Sequence, residues 1–429
     1  MEDRQAPGKA LVVGGSIAGL SCAHSLIAAG WEVRVIEKSL SPPSSSPTGA
    51  GLSLDPQARE IVSSWLSDPT ILHDSSLPLD IELLQFVDGK KDRKIVARDD
   101  NFNYRCFHWT DLHSLLYKAL PPDTVLWDHH FLSLIIPENK ASVRIKVKIP
   151  HTDEMKEFSG DLLIAADGSM SLIQRHFLPG HKLRYSGYSA WRGVYDFSED
   201  ISSDTIDSIR SAYPELGKCL YFDLVYGNHC VLFELINKRL NWIWYFDAQE
   251  PDIKASYLTN SEGRSVTMKV NQEMIEKMHT DAQRMWSSEL AQLMRKTKEP
   301  FINVIYDSDP LPQLFWDNVV LVGDAAHPTT PHCSRSTNMA VLDAEVLGLC
   351  VKKWGAGNLG LALQEYQSIR YPVISRQVLH SRHAGRLKQG LPLQDNTAFN
   401  PKEASKEEAA GILHKSLPFF YKAPVSMDQ

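Results

Sequence analysis

The sequence offers no cysteine framework. Its six cysteines, Cys22, Cys106, Cys219, Cys230, Cys333 and Cys350, are scattered and form no CxxC pair. Neither a disulfide scaffold nor a zinc site is indicated, and a reducing compartment is the expectation. No apolar run approaches the roughly 20 residues of a membrane-spanning helix. The opening MEDRQAPGKA lacks the apolar stretch and small-residue cleavage site of a secretory signal, so a cytoplasmic location is expected. Positive charge is short as well: 45 Lys and Arg stand against 52 Asp and Glu, net −7, with no dense basic stripe, which argues against nucleic-acid partners. What remains is 429 residues, 43% of them hydrophobic, enough for a large core in two or three lobes.

Residues 10–37, ALVVGGSIAGLSCAHSLIAAGWEVRVIE, read as strand, glycine turn, helix and returning strand. Gly14 and Gly19 keep the outer positions of a dinucleotide turn, with Ser16 where the middle glycine would stand. In such a βαβ unit the turn Gly14, Gly15, Ser16, Ile17, Ala18 and Gly19 lets the backbone approach a pyrophosphate at the helix N-terminus. The acidic residue at the far end, Glu37, binds ribose hydroxyls.

A second strand–loop–helix spans Val319 to Ala344. Val319, Val320, Leu321 and Val322 form a buried β-branched run, and Gly323-Asp324 ends it, with Asp324 offering a carboxylate to sugar-like hydroxyls. Pro328 to Pro331 stiffen the loop. Ser336 and Asn338 are expected to cap the following helix, whose free N–H groups suit an electron-rich ring edge or an anion. A third buried strand, DLLIAADG, ends in Asp167-Gly168, so two carboxylates are expected along one crevice at the strands' carboxyl ends. Gly49 and Gly51 permit close backbone approach after the Ser/Pro-rich loop 39–48.

From Tyr185 to Asp247 the character changes to aromatic-rich alternating segments, YSGYSAWRGVYDF, CLYFDLVY, HCVLFELI and LNWIWYFD. They predict an antiparallel sheet that roofs a flat ligand, with Trp191, Tyr221, Trp242, Trp244 and Tyr245 individually expected to fill core. Residues 79–98 predict a hairpin and 270–298 a charged helical stretch. The stretch from Gly360 to Gly390 predicts a long helix bent near Pro372, and the tail beyond Leu391 shows little pattern.

Together, Gly14 to Gly19 with Glu37, the Asp167-Gly168 strand end and the run Gly323-Asp324-Ala325-Ala326-His327-Pro328 resemble the class A FAD-dependent aromatic monooxygenases. The likeness is greatest to the 2,6-dihydroxypyridine 3-hydroxylase-like branch and its plant relatives, and it extends to GAGLSLDP, LNWIWY and QVLHSR. It implies an α/β fold: a glutathione-reductase-type, Rossmann-like FAD-binding domain (1–78, 104–182, 301–370) with an inserted antiparallel-sheet substrate domain (hairpin 79–103, sheet 183–300) and C-terminal helices (371–429). It also implies bound FAD, NADPH as a transient co-substrate without its own dinucleotide fold, O2, and hydroxylation of an electron-rich aromatic or N-heterocycle through a flavin C4a-hydroperoxide, as in plant specialised metabolism. By likeness, Glu37 holds the adenosine ribose, Asp324 the ribityl chain, and Asn338 with its preceding turn the flavin's pyrimidine edge. Lys38, Gly51, Arg105, Asp167, Gly323, Pro331, Ser336 and Thr337 complete the cofactor set. His332, His229 and Arg192 are the catalytic candidates, and His327 is expected to be structural. No metal is expected, and the chain is expected to be a monomer or homodimer.

Several positions depart from the pattern. Pro331-His332-Cys333-Ser334-Arg335-Ser336-Thr337-Asn338 stands where Pro-x-Gly-Gly-Gln-Gly-x-Asn is common, so a Cys333 side chain is expected to crowd the flavin. Gln174 and Trp109 replace arginines. These departures motivate an alternative: the same fold as a non-redox cyclase or isomerase, or a small-molecule binder.

Overall fold

The computed structural model describes residues 7–43, 50–88, 92–198, 204–249, 267–268, 270–393 and 396–414. Its first layer is a six-stranded sheet in the order Phe315–Trp316, Val319–Leu321, Leu162–Ala165, Lys9–Val13, Glu32–Ile36, Val125–Leu126. All neighbours are parallel except the Phe315–Trp316 edge. Parallel strands are covered on both faces, which is why these segments are unbroken apolar runs; Leu162, Leu163, Ile164 and Ala165 are fully buried. The helices Ile17–Ala28 and Arg335–Trp354 pack against each other, and Gly348 lets them close: a Cβ there would lie 2.7 Å from the Ser25 Cβ.

The second layer is an eight-stranded sheet ordered Thr267–Met268, Phe301–Asp307, Arg184–Asp196, Arg239–Asp247, Asn228–Leu235, Cys219–Val225, Ile81–Asp88, Asp92–Asp99. The 79–98 hairpin therefore joins the aromatic segments. Phe301–Asp307, expected with the FAD-binding part, instead pairs antiparallel with Arg184–Asp196 and belongs to this sheet. Side chains alternate across it. Trp191, Tyr221, Trp242 and Trp244 share one face with Met278 and Trp286 from the helices Gln272–Met285 and Ser288–Lys296, forming a closed core. Leu220, Phe222, Val231, Phe233, Ile243 and Tyr245 take the other face.

The Val319–Leu321 strand end is fixed by a buried charge. Asp343, inside the Arg335–Trp354 helix and fully buried, accepts from the Gly323 N–H at 3.0 Å, lies 2.5 Å from His327 Nε2, and accepts from Arg370 Nε at 2.8 Å. His327 is thus structural, as its sequence context suggested. Arg370 comes from the helix Leu359–Lys388, which runs unbroken through Pro372; buried Arg370, Val373, Ile374 and Gln377 hold both sides of the proline against the body. Helix Arg335–Trp354 begins earlier than expected. Its cap position is Ser334, not Ser336 or Asn338, and the tail adds a short helix, Lys406–Ala410, that the sequence pattern did not show.

Burial alone would raise the Asp343 pKa, but His327, Arg370 and the Gly323 N–H outweigh it and leave it at about 2. Its folded value lies below the ordinary 3.8, so its contribution is complete above that value and fades as pH falls through about 2. Removing one partner of a buried pair costs about 3–5 kcal/mol, and Asp343→Asn is expected to lose that much in urea unfolding at neutral pH. The gap between variant and parent should narrow as the medium is acidified toward the carboxyl's own titration; a gap independent of acid would contradict the assignment.

Candidate flavin and substrate cleft

Two helix starts open on the carboxyl ends of the parallel strands. Helix Ile17–Ala28 follows Ser16 and helix Arg335–Trp354 follows Ser334, and neither cap residue makes a side-chain capping bond. Their first N–H groups are therefore available to an anion or a ring edge. At the first start the backbone is drawn in tightly. Gly14 has φ +106°, and a Cβ there would lie 2.2 Å from the Ala166 carbonyl oxygen; one on Gly19 would meet the Gly14 oxygen at 1.8 Å. Glu37 closes the turn, its Oε2 accepting from the Gly15 N–H at 2.6 Å and its Oε1 from Ser39. Lys38 is exposed beside it.

At the second start lies a cavity of about 310 Å³. Gly51, Ser53, Asp324, Pro331, Ser334, Arg335, Ser336 and Thr337 line one part of it; Leu220, Phe222, Val231, Phe233, Ile243, Tyr245, Arg192, His332 and His414 line the other. Asp324 accepts from Ser336 Oγ at 2.6 Å, which orients its carboxylate along the loop. Gly51 sits where a Cβ would lie 2.5 Å from the Phe233 ring, so a larger residue would displace the wall.

Cys333 does not crowd this space. It is buried in the same apolar cluster as Tyr188, Tyr245 and Ala384 and is absent from the cavity wall. Ser334 instead takes the left-handed conformation, φ 52°, that a glycine would adopt without strain. A buried ion pair holds the loop: Arg335 donates to Asp55 at 2.5 Å, and Asp55 also caps the helix Pro56–Trp65 through Ala58 N–H. Sequence reading missed this pair, because an Arg at the glutamine position of the loop pattern carries no sign of a carboxylate 280 positions away.

Several expected cofactor residues are directed elsewhere. Asn338 is fully buried, donates to the Ser53 and Ser334 carbonyls and accepts from Asp55 N–H; it ties strand Gly51–Leu54 to the helix instead of facing the cleft. Arg105 donates to Ser76 Oγ and to the His73 and Ser76 carbonyls, closing off the short helix Thr70–Asp74. Asp167 accepts from the Leu172 N–H at 2.8 Å and serves the start of helix Leu172–Phe177, so the pair of crevice carboxylates reduces to Asp324. Gln174 reaches the Ala325 carbonyl at 2.9 Å and bridges the two strand ends. Trp109 packs on His113, whose Nε2 lies 2.9 Å from the Gly15 oxygen, a support for the glycine turn that sequence did not reveal.

Of the catalytic candidates, His332 and Arg192 lie on the cavity wall and His229 lies behind it. His229 is fully buried and stacked on Tyr245 at 4.5 Å, and burial pushes its pKa down to about 3. His332 Nδ1 faces the Tyr188 hydroxyl at 3.3 Å; burial and then neighbouring His229 hold its pKa well below the usual histidine range. Both rings are neutral at physiological pH. Among the described residues no cluster has the makings of a metal site, and no helix is long and apolar enough to cross a membrane.

The glycine cradle, the two uncapped helix starts and the placement of Cys333 outside the wall fit FAD, with Gly14 to Gly19, Glu37, Gly323, Asp324, Ser336 and Thr337 as the residues that would hold it. Gly14→Val is expected to abolish flavin retention. Cys333→Gly should leave the flavin-to-protein ratio and the FAD dissociation constant within about twofold, under 0.5 kcal/mol. A large gain in FAD affinity on removing the thiol would show that it does intrude.

The family described as FAD binding domain-like matches residues 185–307. The 6-hydroxynicotinate 3-monooxygenase of Pseudomonas fluorescens is 26% identical over 368 residues, 84% of this chain and 86% of that protein. The solved structure of 2,6-dihydroxypyridine-3-hydroxylase from Arthrobacter nicotinovorans superposes with a TM-score of 0.74 at 22% identity, covering 92% of this chain and 97% of that one. Klebsiella pneumoniae HpxO, complexed with FAD and uric acid, shares the fold with a TM-score of 0.72 at 20% identity, covering 94% of this chain and 92% of that one. The chain's homologues and structural neighbours are class A FAD-dependent aromatic monooxygenases, and the chain shares their fold.

Proposed function

We propose that this enzyme uses NADPH and O2 to hydroxylate an electron-rich aromatic or N-heterocyclic small molecule. The observation that carries the reading is a single cavity walled on one side by the Asp324 and Ser334–Thr337 loop and on the other by the apolar sheet face. FAD, when bound, supplies the electron transfer and the activation of oxygen that no side chain provides. The protein's part is placement and dryness. Leu220, Phe222, Val231, Phe233 and Ile243 exclude water from the space beside the loop, and Tyr245 adds a flat edge for a ring. Arg192 brings a positive charge to that wall, which favours a substrate carrying a carboxylate or an ionised hydroxyl.

Neutral His332 suits hydrogen bonding to a ring substituent. A neutral hydrogen bond contributes about 0.5–1.5 kcal/mol, so His332→Phe is expected to lower kcat/KM by roughly two- to tenfold. Its own titration lies well below neutrality, so the variant should keep the parent's pH profile there. Loss of a limb of that profile would make His332 an acid–base group instead.

The reading as a whole is tested by three measurements on the purified chain: a yellow flavin spectrum, substrate-stimulated NADPH oxidation, and matching O2 uptake. Turnover that persists without NADPH and O2 would transfer the case to a cyclase or isomerase. The cytoplasm, plant specialised metabolism and a monomeric or dimeric state belong to the same proposal and rest on the sequence alone.

A further inference from the structure

One row of the large sheet forms the floor of the cavity. Arg192, Ile243, Val231 and Phe222 stand directly opposite one another on four neighbouring strands, and all four line the cavity. Directly opposed residues point to the same face, so the row is an apolar strip with a guanidinium at one end and a phenyl ring at the other. Strands lie about 4.8 Å apart, which makes the strip about 14 Å long from its first backbone to its last. Beyond Phe222 it is closed by the C-terminal arm. The His414 ring belongs to the cavity wall, 6.0 Å from the Phe222 ring, and its backbone N–H donates at 2.9 Å to Oε2 of Glu82 on the next strand, Ile81–Asp88. Helix Lys406–Ala410, which leads to it, packs on strand Asp92–Asp99.

Two guanidiniums border the cavity, and they differ in their partners. Arg335 is paired with Asp55. Arg192 has no carboxylate partner among the described residues, and its buried Nε makes no hydrogen bond. Its polar neighbour is the Tyr245 hydroxyl: burial raises the Tyr245 pKa, and Arg192, hydrogen-bonded to that hydroxyl, works against the rise. The guanidinium therefore leans onto the adjacent strand with its Nε unpaired. Asp324, the carboxylate of the opposite wall, is turned to Ser336. The two parallel N–H groups on one guanidinium edge match the two oxygens of a carboxylate, whereas a phenolate oxygen offers a single point. From Tyr245 to Phe222 about two strand spacings, roughly 10 Å, remain. A hydroxylated single ring with its carboxylate is roughly 7 Å long from bond lengths and falls short of both ends. Two fused rings reach.

We propose that the cavity takes an extended aromatic carboxylate, its acid group on Arg192, two fused rings along Ile243 and Val231, and its far ring on Phe222, stopped by the His414 wall. Arg192 selects the charge, and Phe222 with His414 sets the length. A head held at two points and a body held flat leave the far ring one orientation, which is what hydroxylation at a single carbon needs. The assignment rests on the hydroxylase reading for what becomes of the far ring, and binding measured without NADPH separates the two.

The test is an equilibrium titration of the full-length chain, with and without saturating FAD and with no NADPH. Its probes are 6-hydroxy-2-naphthoate, 2-naphthol, which lacks the acid, and 4-hydroxybenzoate, which lacks the second ring. The naphthyl probes are read by their own fluorescence and the benzoate by displacement of 6-hydroxy-2-naphthoate. The full probe is expected to bind at least about tenfold tighter than either fragment. Arg192→Met should lose about tenfold or more for 6-hydroxy-2-naphthoate and stay within about twofold for 2-naphthol. Phe222→Leu should weaken both naphthyl probes and spare the benzoate. His414→Ala, which keeps the backbone bond to Glu82, should admit anthracene-2-carboxylate, which the parent excludes. No binding of 6-hydroxy-2-naphthoate to the parent, equal affinity for 4-hydroxybenzoate, equal loss of both naphthyl probes in Arg192→Met, or a loss of FAD affinity there with probe binding unchanged would each overturn the assignment. The expected order of binding in a chain that oxidises no NADPH with any bound acid would sink the hydroxylase reading and leave the carboxylate site standing.

Discussion

The cleft depends on one buried carboxylate. Asp343 gathers a backbone N–H at the end of a central strand, an imidazole from the loop beyond it and a guanidinium from the long C-terminal helix. A charge without solvent is tolerable only when its lone pairs are filled, and here three elements must be in register to fill them. The position of Gly323-Asp324 relative to both helices is thereby a condition of satisfying Asp343. The cofactor loop takes its geometry from an ion cluster centred on the helix behind it, to which the loop itself contributes only the Gly323 N–H and His327.

A second constraint is the pleat of the large sheet. Because successive side chains point to opposite faces, a single register decides which residues meet the ligand. Trp242 and Trp244 fall on the helix-covered face and Ile243 and Tyr245 on the cavity face, although all four are adjacent in sequence. The pocket face of the sheet consequently carries Phe222, Phe233 and Tyr245 among aliphatic side chains and none of the tryptophans of its strands.

Patterns that are local in sequence were legible. The glycine turn with Glu37, the β-branched strand ending in Gly323-Asp324, the hairpin and the aromatic strands each announce themselves within ten to thirty residues, and they suffice for the fold. What was hidden depends on partners far away. Asn338 and Arg105 have the right types for a cofactor, but their donors are engaged by Ser53 and by the Thr70–Asp74 turn. Cys333 follows a loop conformation in which Ser334 makes the left-handed turn, so its side chain goes to the core. His414 lay in a tail with no periodicity, and only the strand bearing Glu82 gives it a place.

The nested order of strands in the parallel sheet bears on how the molecule is made. Lys9–Val13 lies beside Leu162–Ala165, which in turn lies beside Val319–Leu321, so the innermost hydrogen bonds join segments about 150 residues apart. During synthesis the inner edge of the first βαβ unit stays unpaired until residues 162–165 have left the ribosome. A nascent chain in that interval exposes an apolar strand edge, and holding it from aggregation falls to chaperones or to early capture of nucleotide by the glycine turn.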